Sequence, residues 1–234
     1  MAMARIEFSE IGPPWWDDKP TIIIATAPSL ENFDFDKLRR LDCHFLGIKE
    51  AGFALDFVDE VITLDLPWLR RRRDALSELA ARKPVWAVVP DEPEQSFTIV
   101  PNVRHLRRVD RLPGLALNDT CGLRNGLTSG FVGLNYAVMK RSRLNILLGF
   151  DYAAEKTETG YKHHASRFDY YWTQWRSARY WQNWSRTFDP IPGQLEPLGI
   201  KVYNASPRSN ITAFPMIRHD YIEELVGTYH AGTS

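Results

Sequence analysis

The sequence predicts a single α/β domain built on an open, mostly parallel, Rossmann-like sheet flanked by helices. Three observations carry this expectation. Residues 21–26, Thr-Ile-Ile-Ile-Ala-Thr, form a run dominated by β-branched residues that stops at Ala27-Pro28-Ser29, the pattern of a strand buried on both faces and then turned. Similar short runs recur at 43–48, 60–64, 85–89, 144–149 and 200–203, with helical patterns between several of them. The composition is 44% hydrophobic, with 8 Trp, 9 Tyr and 12 Phe in 234 residues, enough for a buried core and without a break that divides the chain.

Between the strands, a helix is expected over 67–82, with Pro67 in its first turn, where a missing N–H costs nothing. It carries Arg70, Arg71, Arg72 and Arg73, which radiate around a helix and so read as a solvated face. Residues 90–94 read as a loop. Arg104, Arg107, Arg108 and Arg111 form a second basic cluster, suited to phosphate, to an acidic acceptor, or to salt bridges with nearby acids. A helix over 129–140 shows an apolar side at Phe131, Leu134, Tyr136 and Val138 and leads into the strand at 144. Beyond that strand come a mobile loop near 153–166, an aromatic helix over 167–184 that must bury at least one face, and a loop at 189–197.

Lys plus Arg and Asp plus Glu are equal at 29 each, so no global field draws in nucleic acid or an anionic membrane. Cys43 and Cys121 have neither metal-site spacing nor the density of a secreted disulfide scaffold, which predicts buried thiols and a reducing, cytoplasmic setting. The N-terminal residues Met1 to Glu7 predict no export signal. The most apolar segments, 21–27 and 144–150, are strand-length, well short of the ~20 residues of a bilayer span, so no integral membrane association is expected.

Ligands of open α/β sheets sit beyond the carboxyl ends of the strands, where free N–H groups at helix starts favour anions. Three segments belong there: Ala25-Thr26-Ala27-Pro28-Ser29-Leu30, then Asn125-Gly126-Leu127-Thr128-Ser129-Gly130 at a helix start, then Gly149-Phe150-Asp151-Tyr152. Thr128 and Ser129 offer hydroxyls to a phosphate or sugar, or else serve as an ordinary helix cap. Pro28-Ser29 reads equally as a simple turn. Asp151 is placed to accept from a ligand hydroxyl or to cap the next segment. A metal would want further oxygen ligands, and Asp65 is the one other acid near a strand's carboxyl end, so no metal is predicted. His163 and His164 follow a polar stretch at 156–162, and imidazole titrates near working pH, so one of them is a candidate general base. Tyr170, Tyr171, Trp172, Trp175, Tyr180, Trp181 and Trp184 are core-packing residues or, for a minority, an acceptor platform.

In this order, the motifs resemble those of the small bacterial sialyltransferases and related phage-encoded and lipopolysaccharide-linked proteins. The Ala25 to Leu30 turn, followed by Phe33-Asp34-Phe35 and Leu38, is similar to the family's Gly-x-Gly-Pro-Ser-Leu turn. Thr128-Ser129-Gly130, the helix, and Leu147-Leu148-Gly149-Phe150-Asp151-Tyr152 resemble its central stretch. His163-His164 and Asn204-Ala205-Ser206-Pro207-Arg208-Ser209 resemble its later histidine and its closing Pro-and-Ser turn, so the likeness spans about residues 21–215. Two departures are plain. Ala25 and Ala27 stand where the family has glycines, and no Asn follows the second strand at Leu46-Gly47-Ile48-Lys49. A Cβ in the first turn narrows the approach of a diphosphate and disfavours positive φ.

The resemblance implies a glycosyltransferase that moves a sugar from a nucleotide-activated donor to a hydroxyl acceptor, a glycan or another, by direct displacement with no required cofactor or metal. It implies His164 as the base and Asp151 as the residue orienting a sugar or ribose hydroxyl. Thr26, Pro28, Ser29, Thr128, Ser129, Gly130, Asn204, Ser206 and Ser209 would hold the donor. The location it implies is the cytoplasm of a bacterium or of a phage-infected host, and homo-oligomerisation stays open. Two other readings also stay open: pyrophosphoryl transfer, as in a related archaeal group acting on a hydroxymethyl pterin, which would need Mg²⁺, and a non-catalytic nucleotide-binding module.

Overall fold

The computed structural model describes residues 16, 18–90, 100–109, 113–117, 122–153, 155–157, 160–162 and 178–233. Eight parallel strands form one sheet in the order β10-β7-β1-β2-β3-β4-β5-β6, with helices on both faces, which is the expected α/β architecture. The strands are β1 (Thr21–Ile24), β2 (His44–Ile48), β3 (Glu60–Thr63), β4 (Val85–Val89), β5 (Arg104–Val109), β6 (Leu123–Arg124), β7 (Leu144–Leu148) and β10 (Lys201–Asn204). A separate antiparallel pair joins β8 (Glu155–Thr157) and β9 (Gly160–Lys162).

The continuous apolar runs are explained by burial on two sides. Ile22 and Ile24 pack into one core, with Leu38 of α1 (Phe35–Arg39), Ala51 of α2 (Ala51–Ala54), Trp68 of α3 (Leu66–Arg71), and Leu76 and Leu79 of α4 (Arg73–Ala80). Ile23, between them, points to the other core with Leu46, Ile62 and Leu147, against Phe131, Leu134 and Tyr136 of α5 (Ser129–Met139). Alternation along a strand puts neighbours on opposite faces, so a strand covered on both faces reads as unbroken hydrophobicity. Every residue of α5 is buried. That helix needs no polar face, because it crosses the middle of the sheet on its way from β6 to β7.

This crossing sets the position of the site. The chain builds outward from β1 through β6 with α1 to α4 on one face, returns over the opposite face in α5, and re-enters the sheet as β7 on the other flank of β1. β1 therefore pairs with β2 on one side and β7 on the other, Ile24 opposite both Gly47 and Leu148. The strand order reverses between β1 and β7, and in open α/β sheets the crevice beyond such a reversal takes the ligand.

Several elements differ from expectation. The helix expected over 67–82 is two helices, α3 and α4, because Arg72 leaves the helical region at φ −98°, ψ 13° while Glu50 holds its guanidinium. Arg70, Arg71 and Arg73 are exposed, as a solvated face requires. The basic cluster at 104–108 is strand β5. Its charged residues mask the pattern, yet His105 and Leu106 are buried and the Arg104 guanidinium lies over Trp86 at 5.1 Å. Residues 189–197 are not a loop but α7 (Ile191–Leu195) and a 3-10 turn (Glu196–Leu198). Pro192 and Pro197 stand in first turns, where no N–H is needed, and Ile191 and Leu195 bury one face. Of the helix expected over 167–184, the described part is α6 (Ala178–Ser185). Within the loop expected near 153–166, β8 and β9 pair, and His163 and His164 lie outside the described residues, as do Cys121, Arg111 and the aromatics at 170–175. The chain closes with α8 (Ile222–Thr233).

Candidate functional site

The site grows from the junction of β1 and β7. Past β1, Ala25 donates its N–H to Leu148 O at 2.8 Å, so the two chains leave the sheet side by side. Gly149 turns away at φ 75°, where an added Cβ would lie 2.7 Å from Ala25 O and 2.6 Å from Leu30 Cδ1. Only glycine fits there, on both sterics and φ.

The two turns are then tied together. Asp151, 3% exposed, accepts from the Ser29 N–H at 3.1 Å and from Ser29 Oγ at 2.5 Å. The Pro28–Leu30 3-10 turn is thereby held by a residue of the turn after β7, 122 positions from Ser29 in the chain. Asn210 donates its N–H to Asp151 O at 2.8 Å.

At the head of α5, Thr128 Oγ1 accepts from Phe131 N at 3.2 Å as the N-cap, and it shares a short hydrogen bond with the Tyr152 hydroxyl. Burial pushes the Tyr152 phenol far above its ordinary range, so it is a neutral hydroxyl throughout working pH. Ser129 Oγ accepts from the Leu64 N–H at 3.1 Å, fastening the start of α5 to the end of β3. Gly130 has no room for a side chain, since a Cβ would come within 2.8 Å of both Phe150 Cε1 and Tyr152 Oη.

These elements enclose a cavity of about 430 Å³. The turn after β1 contributes Ala25, Thr26 and Ala27; the turn after β7 contributes Gly149, Asp151 and Tyr152; the head of α5 contributes its N-cap Thr128 and its first residues Ser129 and Gly130. Lys49 beyond β2, Asp65 beyond β3, Arg108 of β5, and Trp181 and Trp184 of α6 complete the polar and aromatic wall. The two indoles meet edge to face at 5.0 Å. Lys49 Nζ lies 3.1 Å from Asp65 Oδ2.

Backbone cost concentrates here. Among the described residues, five non-glycine residues have positive φ, and three of them, Lys49 (52°), Leu127 (66°) and Tyr152 (47°), line this cavity. Left-handed conformations cost roughly 1–2 kcal/mol for residues with a Cβ, and such costs cluster at binding and active sites.

The sequence-predicted residues divide into two groups. Thr26, Thr128, Ser129, Gly130 and Asp151 line the cavity together. Pro28 and Ser29 stand behind it, with Ser29 joined to Asp151. Asn204, Ser206 and Ser209 are absent from the wall and brace the turn after β7. Ser206 Oγ accepts from Phe150 N at 2.7 Å, Ser209 Oγ donates to Phe150 O at 2.5 Å, and Asn204 Oδ1 accepts from Ser206 N at 3.1 Å. His164 lies outside the described residues. Ala27 is extended at φ −145° and Ala25 has no positive φ, so neither backbone position demands glycine, although both methyl groups border the cavity.

Sequence reasoning missed Lys49 as a cavity residue. The signal for it in the sequence is a cation at the carboxyl end of a strand next to β1. Compared with protein-family models, curated proteins and solved structures, the chain matches none.

Proposed function

We propose that this chain is a glycosyltransferase that takes a nucleotide-activated sugar into the cavity at the β1–β7 reversal and passes the sugar to a hydroxyl acceptor. The observation that carries the reading is the make-up of that cavity. It combines two cationic side chains, Lys49 and Arg108, the first residues of helix α5 and an indole pair inside about 430 Å³, a volume suited to a small ligand with an anionic part and a ring. Phe131's N–H is already capped by Thr128, while Ser129 and Gly130, whose N–H groups precede any intrahelical acceptor, stand on the wall where a phosphate would benefit from the helix start.

In this reading Lys49 and Arg108 offset the charge of the donor's phosphates, and Trp181 and Trp184 present ring faces and edges to a base or sugar. The carboxylates at the strand ends serve the scaffold. Asp65 Oδ1 accepts from Trp68 N and its Oδ2 from Lys49, while both Asp151 oxygens accept from Ser29. His164 supplies the base that takes the acceptor's proton as the sugar is displaced, in keeping with the resemblance to the bacterial sialyltransferases.

A thermal-shift screen against nucleotides and nucleotide sugars identifies the donor, since binding to the native state raises the melting temperature. With that donor, His164→Ala is expected to lower kcat by about 10² to 10⁴ while leaving donor affinity and melting temperature close to those of the parent. The parent's kcat should rise with pH through the histidine's titration, because only neutral imidazole accepts a proton. His163→Ala, the control, should retain activity. A His164→Ala protein as active as the parent refutes the base. A nucleotide sugar that binds without turnover in the parent supports a binding module instead.

A further inference from the structure

The geometry points to Lys49 as the residue that holds the anionic part of the cavity's ligand, a phosphate or diphosphate, with Asp65 as the carboxylate that competes for the same ammonium. The inference rests on the reading of the cavity as a ligand site and names the group that engages the phosphate.

Lys49 is the first residue beyond β2, one strand over from β1. It takes φ 52°, a region unfavourable to any residue with a Cβ, and the turn is held by Lys49 N–H on Ile62 O and Gly52 N–H on Lys49 O. At that position the side chain joins the cavity wall, and the Lys49 and Asp65 side chains are 26% and 22% exposed. Charges this sheltered are screened less by salt than surface pairs. An ammonium has three N–H donors, so a bond to Asp65 is compatible with a bond to a phosphate oxygen in the same cavity.

Lys49 stands on the cavity wall together with Arg108, and the acids beside it have partners that fix where they sit. Glu50, next in the chain, directs Oε1 to Trp68 Nε1 at 2.9 Å and to the Arg72 guanidinium at 3.0 Å, so it is matched by its own cation. Asp151 is engaged by Ser29. Asp65 is fixed by capping α3 through Trp68 N at 3.0 Å, so it stays beside Lys49 and repels an incoming anion. Lys49 and Asp65 must therefore act with opposite sign on anion affinity, whereas two residues that merely hold the fold would act with the same sign.

Calorimetry on the full chain with inorganic pyrophosphate, and in parallel with ADP, CDP, GDP and UDP, tests this. Lys49→Met, which keeps the aliphatic stem, is expected to weaken pyrophosphate binding by about tenfold or more, and Lys49→Arg to retain most of it. Asp65→Asn, which still caps a helix, is expected to strengthen binding by about threefold or more, because a carboxylate beside the anion is gone. Melting temperatures measured alongside separate a folding defect from a binding effect. Unchanged affinity in Lys49→Met, or affinity lowered in both variants, overturns the inference. If a nucleoside diphosphate binds the parent and Lys49→Met equally, this inference falls and the donor reading stands. If pyrophosphate binds through Lys49 and no nucleoside diphosphate binds, the inference stands and the donor reading falls. Binding of neither probe overturns both.

Discussion

Asp151 and Ser29 show how a single pair of residues can hold a site together. The carboxyl group is buried and, among the described residues, both groups that donate to it belong to Ser29, so removing the hydroxyl leaves one of its oxygens without that donor in a place water hardly reaches. Such a loss costs about 1–3 kcal/mol. Ser29→Ala should therefore lower unfolding free energy by about that amount in denaturant melts. The Ser29→Ala/Asp151→Ala double variant should lose less than the sum of the single changes, with a coupling of about 0.5–3 kcal/mol. Strict additivity would mean that the bond contributes nothing to joining the β1 and β7 turns. Cys43 illustrates the reverse situation, in which burial removes reactivity. Its thiol is pushed up to about 12, first by desolvation and then by Asp42, so it remains protonated and unreactive at neutral pH.

Among the elements, the parallel strand ends and the head of α5 set the shape of the cavity, and glycine is required where they come closest. Gly149 combines φ 75° with a backbone oxygen 2.7 Å from any added Cβ. Gly149→Ala should cost about 2 kcal/mol or more, the sum of a left-handed alanine and a displaced Ala25 carbonyl. Gly193 is the informative contrast. It lies exposed within α7, a Cβ there meets nothing within 4 Å, and Gly193→Ala should stabilise by about 0.5–1 kcal/mol. Equal effects at the two sites in paired urea titrations would contradict the packing described at the β1–β7 junction. The braces on the Phe150 turn belong to the same scale. Asn204, Ser206 and Ser209 are donor-binding groups by the resemblance of their turn to the sialyltransferases' closing Pro-and-Ser turn, and here their hydrogen bonds go to backbone.

Over the whole molecule, the two cores on either side of the sheet make stability sensitive to any charge forced into them. His105, on β5, is 5% exposed and its pKa is depressed below 6.5 by desolvation. The unfolded chain thus binds a proton more readily than the folded one. The stabilisation from a neutral buried imidazole is complete above about pH 6.5 and is lost as pH falls through 6.5 toward the folded value. Between pH 7.5 and 5.5 the parent should lose more unfolding free energy than His105→Gln. Parallel pH profiles would show that His105 does not carry this dependence. No described helix is long and apolar enough to cross a membrane, and acidic and basic residues are equal in number, so no net charge sets up a global field.

The strands with mostly apolar runs, β1, β4 and β7, were legible in the sequence because burial on both faces is recorded locally, residue by residue. So was the gathering of Thr26, Thr128, Ser129, Gly130 and Asp151 at one edge, since parallel strands necessarily present their carboxyl ends together. Strand β5 was hidden by its arginines, and α7 by its prolines, because each uses residue types that usually mark other structures. The partners that complete the site were decided by tertiary structure alone. Which strand lies beside β1 follows from how α5 covers the sheet, and only that order sets Asp151 against Ser29 and Lys49 against Asp65. Hydrophobic periodicity is a property of neighbours in the chain, whereas a hydrogen bond across 122 residues exists only once both cores have closed around the sheet.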